Sequence, residues 1–255
     1  MLKKERFEQI YSILQDRQSA TVQYLEKQLY VSKATINRDL KAMEDAGLVK
    51  RVWGGVMLDS SVDKNLPLFV RAKENSNAKE KIGEIASHFV RESSAIFLDG
   101  STTIINMIPF LTRFKHLRVV TFGLQTQREL SEKTSIPVHL LGGEVYENYL
   151  VTGHMAIANV RQYHADTFFF SCSGVSAKYG VTCVDEKVVE ICQAMMLRSK
   201  RKILMCDTSK ASRSLMWNIA SLDDLDYIIM DSVPNDPVLV DALGSKLITS
   251  LDQVP

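Results

Sequence analysis

Residues 31–56 constrain this chain more than any other stretch. Ile36, Leu40 and Met43 recur at i, i+4, i+7, the spacing that lines one face of a helix with apolar side chains. Ser32 stands ahead of them as a cap and Gly47 follows as a stop. Residues 48–52 and 56–58, joined across Trp53-Gly54-Gly55, then spell a small β-hairpin.

Two shorter patterns precede this one. Phe7, Ile10, Tyr11 and Leu14 predict a first helix, and Val22, Leu25 and Leu29 a second. Ser19 and Thr21 break the first and offer a cap for the second, while Tyr30-Val31 makes a tight turn. Three helices followed by a hairpin form a winged helix-turn-helix. At 100° per residue, Ala34, Arg38 and Lys41 lie opposite the Ile36/Leu40 stripe, with Thr35 and Asn37 on the flanks. A helix showing small, amide and guanidinium groups on its open face fits the major groove of DNA. Arg38 can pair with guanine and Asn37 with adenine, whereas Ser32, Lys33 and Arg51 suit phosphates. Asp39 has no place opposite phosphates, so a structural partner is expected for it.

Charge agrees with this division. Residues 1–58 hold ten Lys and Arg against seven Asp and Glu, while the remainder holds 21 against 23. A mildly basic head on a slightly acidic body suits a DNA-binding module with a partner domain. No apolar run approaches the roughly 20 residues needed to cross a bilayer, and the N-terminus lacks a secretion signal. A cytoplasmic protein without membrane contact is expected. Cys172, Cys183, Cys192 and Cys206 stand singly, so they read as small buried residues, and no metal or other cofactor is expected. The five histidines lack ligand spacing as well.

Residues 59–76 have the composition of a linker, and residues 77–255 read as the second domain. A helix with Ile82, Ile85, Ala86 and Phe89 on one face opens it. Short apolar runs at 95–98, 117–120, 138–141, 168–170, 203–205 and 227–230 then alternate with helical stretches. That alternation predicts an open, mostly parallel α/β sheet. Small and hydroxyl residues gather where these runs end, the place where open α/β sheets bind ligands. Asp99-Gly100-Ser101-Thr102-Thr103, entering a helix, presents N–H groups and hydroxyls suited to a phosphate. Lys210, in the loop after another strand, offers a matching cation. The same residue types also serve as plain helix caps.

Residues 31–40 (VSKATINRDL) and 47–56 (GLVKRVWGGV) together closely resemble the N-terminal signature of the DeoR family of bacterial repressors. The resemblance continues, in order, through 99–103, Thr121, Leu141-Gly142-Gly143, Thr152-Gly153, Gly174 and Asp207-Thr208-Ser209-Lys210, the motifs of that family's sensor domain. It implies a sensor similar to ribose-5-phosphate isomerase, with a phosphorylated sugar or related metabolite as effector. The effector residues so implied are Asp99, Gly100, Ser101, Thr102, Thr103, Thr121, Gly143 and Lys210. Six positions depart from the family pattern. Asn37 stands for arginine, Trp53 for histidine, Ser101 for glycine, Phe122 for asparagine, Gly123 for serine and Cys192 for lysine.

Three functions follow as expectations. The first is a ligand-controlled repressor binding a double-stranded operator as a homo-oligomer, at least a dimer when two half-sites are read. The second is a constitutive DNA-binding regulator whose degenerate sensor serves oligomerisation. The third is a sugar-phosphate isomerase. Such chemistry needs a general base, and residues 168–174 carry no carboxylate where the related isomerases have an acidic cluster. No catalytic residue is expected.

Overall fold

The computed structural model describes residues 2–45, 47–58 and 68–255. They divide into two compact units, residues 1–74 and 75–255.

The first unit opens with α1 (Lys3–Arg17), β1 (Ser19–Thr21), α2 (Val22–Leu29) and α3 (Lys33–Asp45). The hairpin β2 (Val49–Val52) and β3 (Gly55–Leu58) follows, and then α4 (Leu68–Lys73). Ile10, Leu14, Leu25, Ile36, Leu40, Met43 and Val56 are fully buried together, as their periodicities predict. Burying each such side chain stabilises the fold by about 1.5–3 kcal/mol relative to exposure. Thr21 caps α2 by accepting the Tyr24 N–H, as expected of it. Residues 19–21 are nonetheless more than a helix break. They pair antiparallel with β3, which becomes the middle of a three-stranded sheet. The run Ser-Ala-Thr is too short and polar to announce a strand; the edge left open by the hairpin recruits it. Of the expected linker, residues 59–67 lie outside the described residues, and Leu68–Lys73 is helical.

The second unit begins with α5 (Ser76–Ser87), β4 (Ala95–Leu98), α6 (Thr102–Ile105), α7 (Ile108–Leu111), β5 (Arg118–Thr121) and α8 (Leu124–Lys133). It continues with β6 (Val138–Leu140), β7 (Glu144–Tyr146), β8 (Leu150–Thr152), α9 (His154–Val160), β9 (Ala165–Phe170), β10 (Gly174–Ser176) and β11 (Gly180–Cys183). It ends with α10 (Glu186–Met196), β12 (Ser199–Met205), β13 (Trp217–Ala220), β14 (Tyr227–Ile229), α11 (Pro237–Leu243) and β15 (Leu247–Ile248). Seven of these strands form one sheet in the order β15-β14-β12-β9-β4-β5-β6, with every pairing parallel.

The Phe168-Phe169-Phe170 run shows why this sheet is covered on both faces. Phe168 and Phe170 stack at 4.9 Å in one core, while Phe169 points into the other. A strand buried on both sides needs apolar residues without alternation. Two small antiparallel ribbons, β7-β8 and β10-β11-β13, stand outside the main sheet. Their segments, three or four residues each, are too short to stand out as strands in the sequence.

Candidate functional site

The open face of α3 is the first candidate. Ala34, Arg38 and Lys41 are exposed, as are Ser32 and Lys33, while Ile36, Leu40 and Met43 are fully buried. Asp39 is buried beneath this face at 1% exposure. Its carboxylate accepts from Arg6 Nε at 2.6 Å and Arg6 Nη2 at 3.2 Å, a bidentate pair that ties α3 to α1. The hydrogen bond that Arg6 donates to the Asp39 carboxylate holds the guanidinium pKa above its ordinary value. The structural partner expected for Asp39 is therefore present. An acid within the reading helix is kept off the open face.

Hydrogen bonds pre-set several polar groups here. Ser32 Oγ accepts the Thr35 N–H at 3.3 Å and lies 3.0 Å from the Thr35 hydroxyl. Asn37 Nδ2 donates to the Lys33 carbonyl, and Asn37 Oδ1 accepts from Arg51 Nη2 at 2.7 Å. Arg51 N–H donates to Glu44 Oε1 at 2.9 Å. The hairpin is thus latched to α3 at two points. Both ends of the Asn37 amide are engaged in the free protein, so Asn37 positions Arg51 there. Arg38, Lys33 and Lys41 make no ion pair among the described residues.

The second candidate lies at the carboxyl ends of the parallel strands. Asp99 is buried, and its carboxylate accepts the Ser101 N–H and the Ser171 N–H, each at 2.7 Å. It thereby joins the loop after β4 to the loop after β9. Ser101 caps α6 by accepting the Ile104 N–H. Thr102 and Thr103 are buried, and Ser171 Oγ donates to Thr103 Oγ1 at 3.4 Å. The helix these residues enter has only four residues, so its dipole at the loop is small. Gly100 packs against Gly123 so closely that a Cβ on Gly123 would stand 2.5 Å from the Gly100 Cα. A serine at 123 has no room in this arrangement.

The remaining expected effector residues are placed differently. Thr121 is fully buried, and its hydroxyl accepts the Gly123 N–H at 3.0 Å. Gly143 is exposed ahead of β7, with its Cα side turned against the Thr152 carbonyl. Lys210 is half-buried and has no hydrogen-bonded or ion-paired partner for its ammonium among the described residues. Strand β9 separates β4 from β12, so the loop that carries Lys210 and the loop that carries Asp99 leave the same end of the sheet two strands apart. The neighbouring Asp207 carboxylate accepts from Asn75 Nδ2 at 2.9 Å and from Ser209, and Asn75 Nδ2 also donates to Ser209 Oγ at 3.2 Å.

Several participants were not legible beforehand. Ser171 and Asn75 carry no motif, and only the strand order brings them to these loops. Phe122 lies in the core at 1% exposure rather than lining the loops. Cys192 is fully buried close to Asp99, and burial pushes its thiol pKa well up, with Asp99 adding to the effect. Thr152 Oγ1 is buried with no hydrogen-bond partner among the described residues. The register of β9 on β12 sets Phe170 opposite Leu204, so Cys172 follows opposite Cys206 two residues on. A hydrogen bond donated by the Cys206 thiol to Cys172, together with burial, raises the Cys206 pKa well above its ordinary value. Among the described residues no cluster of His, Cys, Asp and Glu is arranged to hold a metal ion. No described helix is long and apolar enough to cross a membrane. A cavity of about 560 Å³ lies elsewhere, lined by Lys178, Tyr179, Asn218, Ser221 and Asp223, and includes none of the expected effector residues.

Comparison with known proteins bears on both units. Residues 6–62 match the DeoR-like helix-turn-helix domain, and residues 74–232 match the DeoR C-terminal sensor domain. The chain is 31% identical over 232 residues to the HTH-type transcriptional regulator GolR of Listeria innocua, covering 91% of each protein. It is 28% identical over 253 residues to the HTH-type transcriptional repressor GlcR of Bacillus subtilis, covering 98% of this chain and 97% of that one. Among solved structures, ribose 5 phosphate isomerase A from Neisseria gonorrhoeae aligns at a TM-score of 0.40 and 16% identity, over 53% of each chain. With the helix-turn-helix and the sensor domain both matched in order along nearly its whole length, this chain belongs to the DeoR family of helix-turn-helix transcriptional regulators.

Proposed function

We propose that this protein is a repressor that binds an operator through α3 and releases or tightens its grip when a phosphorylated sugar or related metabolite occupies the strand-end loops. The observation that carries the DNA half is the division of α3 into a buried Ile36/Leu40/Met43 stripe and an open Ala34/Arg38/Lys41 edge. In this reading Arg38 and Thr35 face base edges, with Asn37 holding Arg51 beside them. Ser32, Lys33, Lys41 and Arg51 meet phosphates. Two heads on a homo-oligomer read two half-sites. The effector half rests on Asp99, Gly100, Ser101, Thr102, Thr103, Gly143 and Lys210 at the strand ends, with Lys210 as the cation and Thr121 shaping the turn.

The experiment is a gel shift of the full-length protein on the promoter of its own operon, run across a salt series and repeated with sugar phosphates. A sequence-specific shift that weakens steeply with salt is expected. Its absence at low salt overturns the DNA half; a shift indifferent to every sugar phosphate overturns the effector half.

A second reading, constitutive binding with a sensor used only for oligomerisation, has one observation in its favour. Asp99 is engaged with two loop N–H groups, and the neighbouring position 192 carries a buried thiol in place of a cation. Thermal shifts against sugar phosphates separate the two, because a ligand bound to the native state raises the melting temperature.

A further inference from the structure

The tip of the hairpin carries the most exposed large apolar side chain of the first unit. Trp53 is completely open to solvent, at 104% relative exposure. An indole in water exposes a large apolar area that folding has gained nothing by displaying. Nothing about its surroundings makes it a loose end. Val52 pairs with Gly55, so Trp53 and Gly54 form a two-residue turn, with Gly54 at φ +75°. The Gly54 carbonyl accepts the Val22 N–H at 3.1 Å, which fixes the tip to the start of α2. Strand β1 holds β3 from the other side, and Arg51 latches β2 to Asn37 and Glu44 of α3. The indole is therefore presented by a braced support, in fixed register with the open face of α3.

The surrounding charge selects the partner. Lys50 and Arg51 are exposed on the strand leading to the tip, and the Glu44 carboxylate accepts the Arg51 N–H. Val52 and Met57 extend the apolar surface beside the indole at 45% and 41% exposure. An apolar aromatic on a short ribbon flanked by cations suits the minor groove, where such side chains wedge against sugars and base steps.

We propose that Trp53 is a DNA wedge. With α3 in the major groove, the hairpin tip enters the flanking minor groove, and the indole packs against sugar and base edges. This contact selects deformable pyrimidine–purine steps without hydrogen-bonding to any base. The inference rests on the DNA-binding reading of α3, and its test is built to fail separately from that reading.

The test uses the full-length protein and the promoter of its own operon. In a Trp217→Phe background Trp53 is the only indole, since the chain has two tryptophans. Its emission is expected to be quenched and shifted when DNA binds. Trp53→Ala should weaken operator binding roughly ten-fold, the scale of a lost aromatic contact, and Trp53→Phe should keep most of it. The slope of log affinity against log salt should stay at the wild-type value in Trp53→Ala, because no phosphate contact is removed. Replacing a flanking pyrimidine–purine step with a stiff A-tract should cost the wild type more than Trp53→Ala. Unchanged affinity of Trp53→Ala together with an emission blind to DNA overturns the wedge while leaving α3 as the reader. A reduced salt slope also overturns it, since the tip would then act through phosphates. Failure of the wild type to bind at all removes both readings.

Discussion

The two units handle their polar residues in opposite ways. In the first, Arg38, Lys33 and Lys41 stand open to solvent with no ionic partner among the described residues, and Asp39, the acid in the middle of the helix, is buried against Arg6. In the second, Asp99 is hydrogen-bonded to the loop after β9, Asp207 and Ser209 to Asn75, and Thr121 to Gly123 in its own loop. A surface that meets a polyanion works by keeping its cations unspent. In the second unit the loops at the strand ends are ordered by their own hydrogen bonds.

That contrast can be broken in order of effect. Ile36→Ala should destabilise the first unit by about 2–5 kcal/mol through the cavity it leaves, abolishing DNA binding by unfolding. Urea unfolding followed by circular dichroism measures it. Asp99→Ala should cost the second unit about 2–3 kcal/mol, because the Ser101 and Ser171 N–H groups lose their acceptor. Were this variant as stable as the wild type, those loops would not be ordered by Asp99. Arg38→Ala should lower specific affinity by about 1–3 kcal/mol with no change in melting temperature. If its effect proves equal on operator and random DNA, Arg38 contacts phosphate and reads no base. The smallest effect belongs to Asn37→Ala, which frees the Arg51 guanidinium. Affinity should change by a few-fold at most, with altered base preference in a selection from randomised operators.

The first unit was largely legible because its period-3.6 stripes are long and interrupted by capping residues. Ile36, Leu40 and Met43 lie where their spacing puts them. The six expected strand runs also fall within a residue or a few of the observed β4, β5, β6, β9, β12 and β14. What escaped the sequence depends on distant partners. Residues 19–21 become a strand only because β3 offers an edge, and Leu247–Ile248 only because β14 does. The helix expected after Thr103 is cut short at Ile105, and α7 follows as a separate turn. Phe122 departs from the family pattern beside the strand-end loops, and only the fold shows its ring packing into the core. The meeting of Cys172 with Cys206 is a property of strand order alone.

One small contact ties these threads to the covalent chain. Asn75 is the first residue of the second unit, held in a left-handed conformation at φ 52°, and its amide grips Asp207 and Ser209. Glu74, the last residue of the first unit, is its immediate neighbour. Losing this clasp would leave the spot where the polypeptide enters the second unit without its side-chain brace.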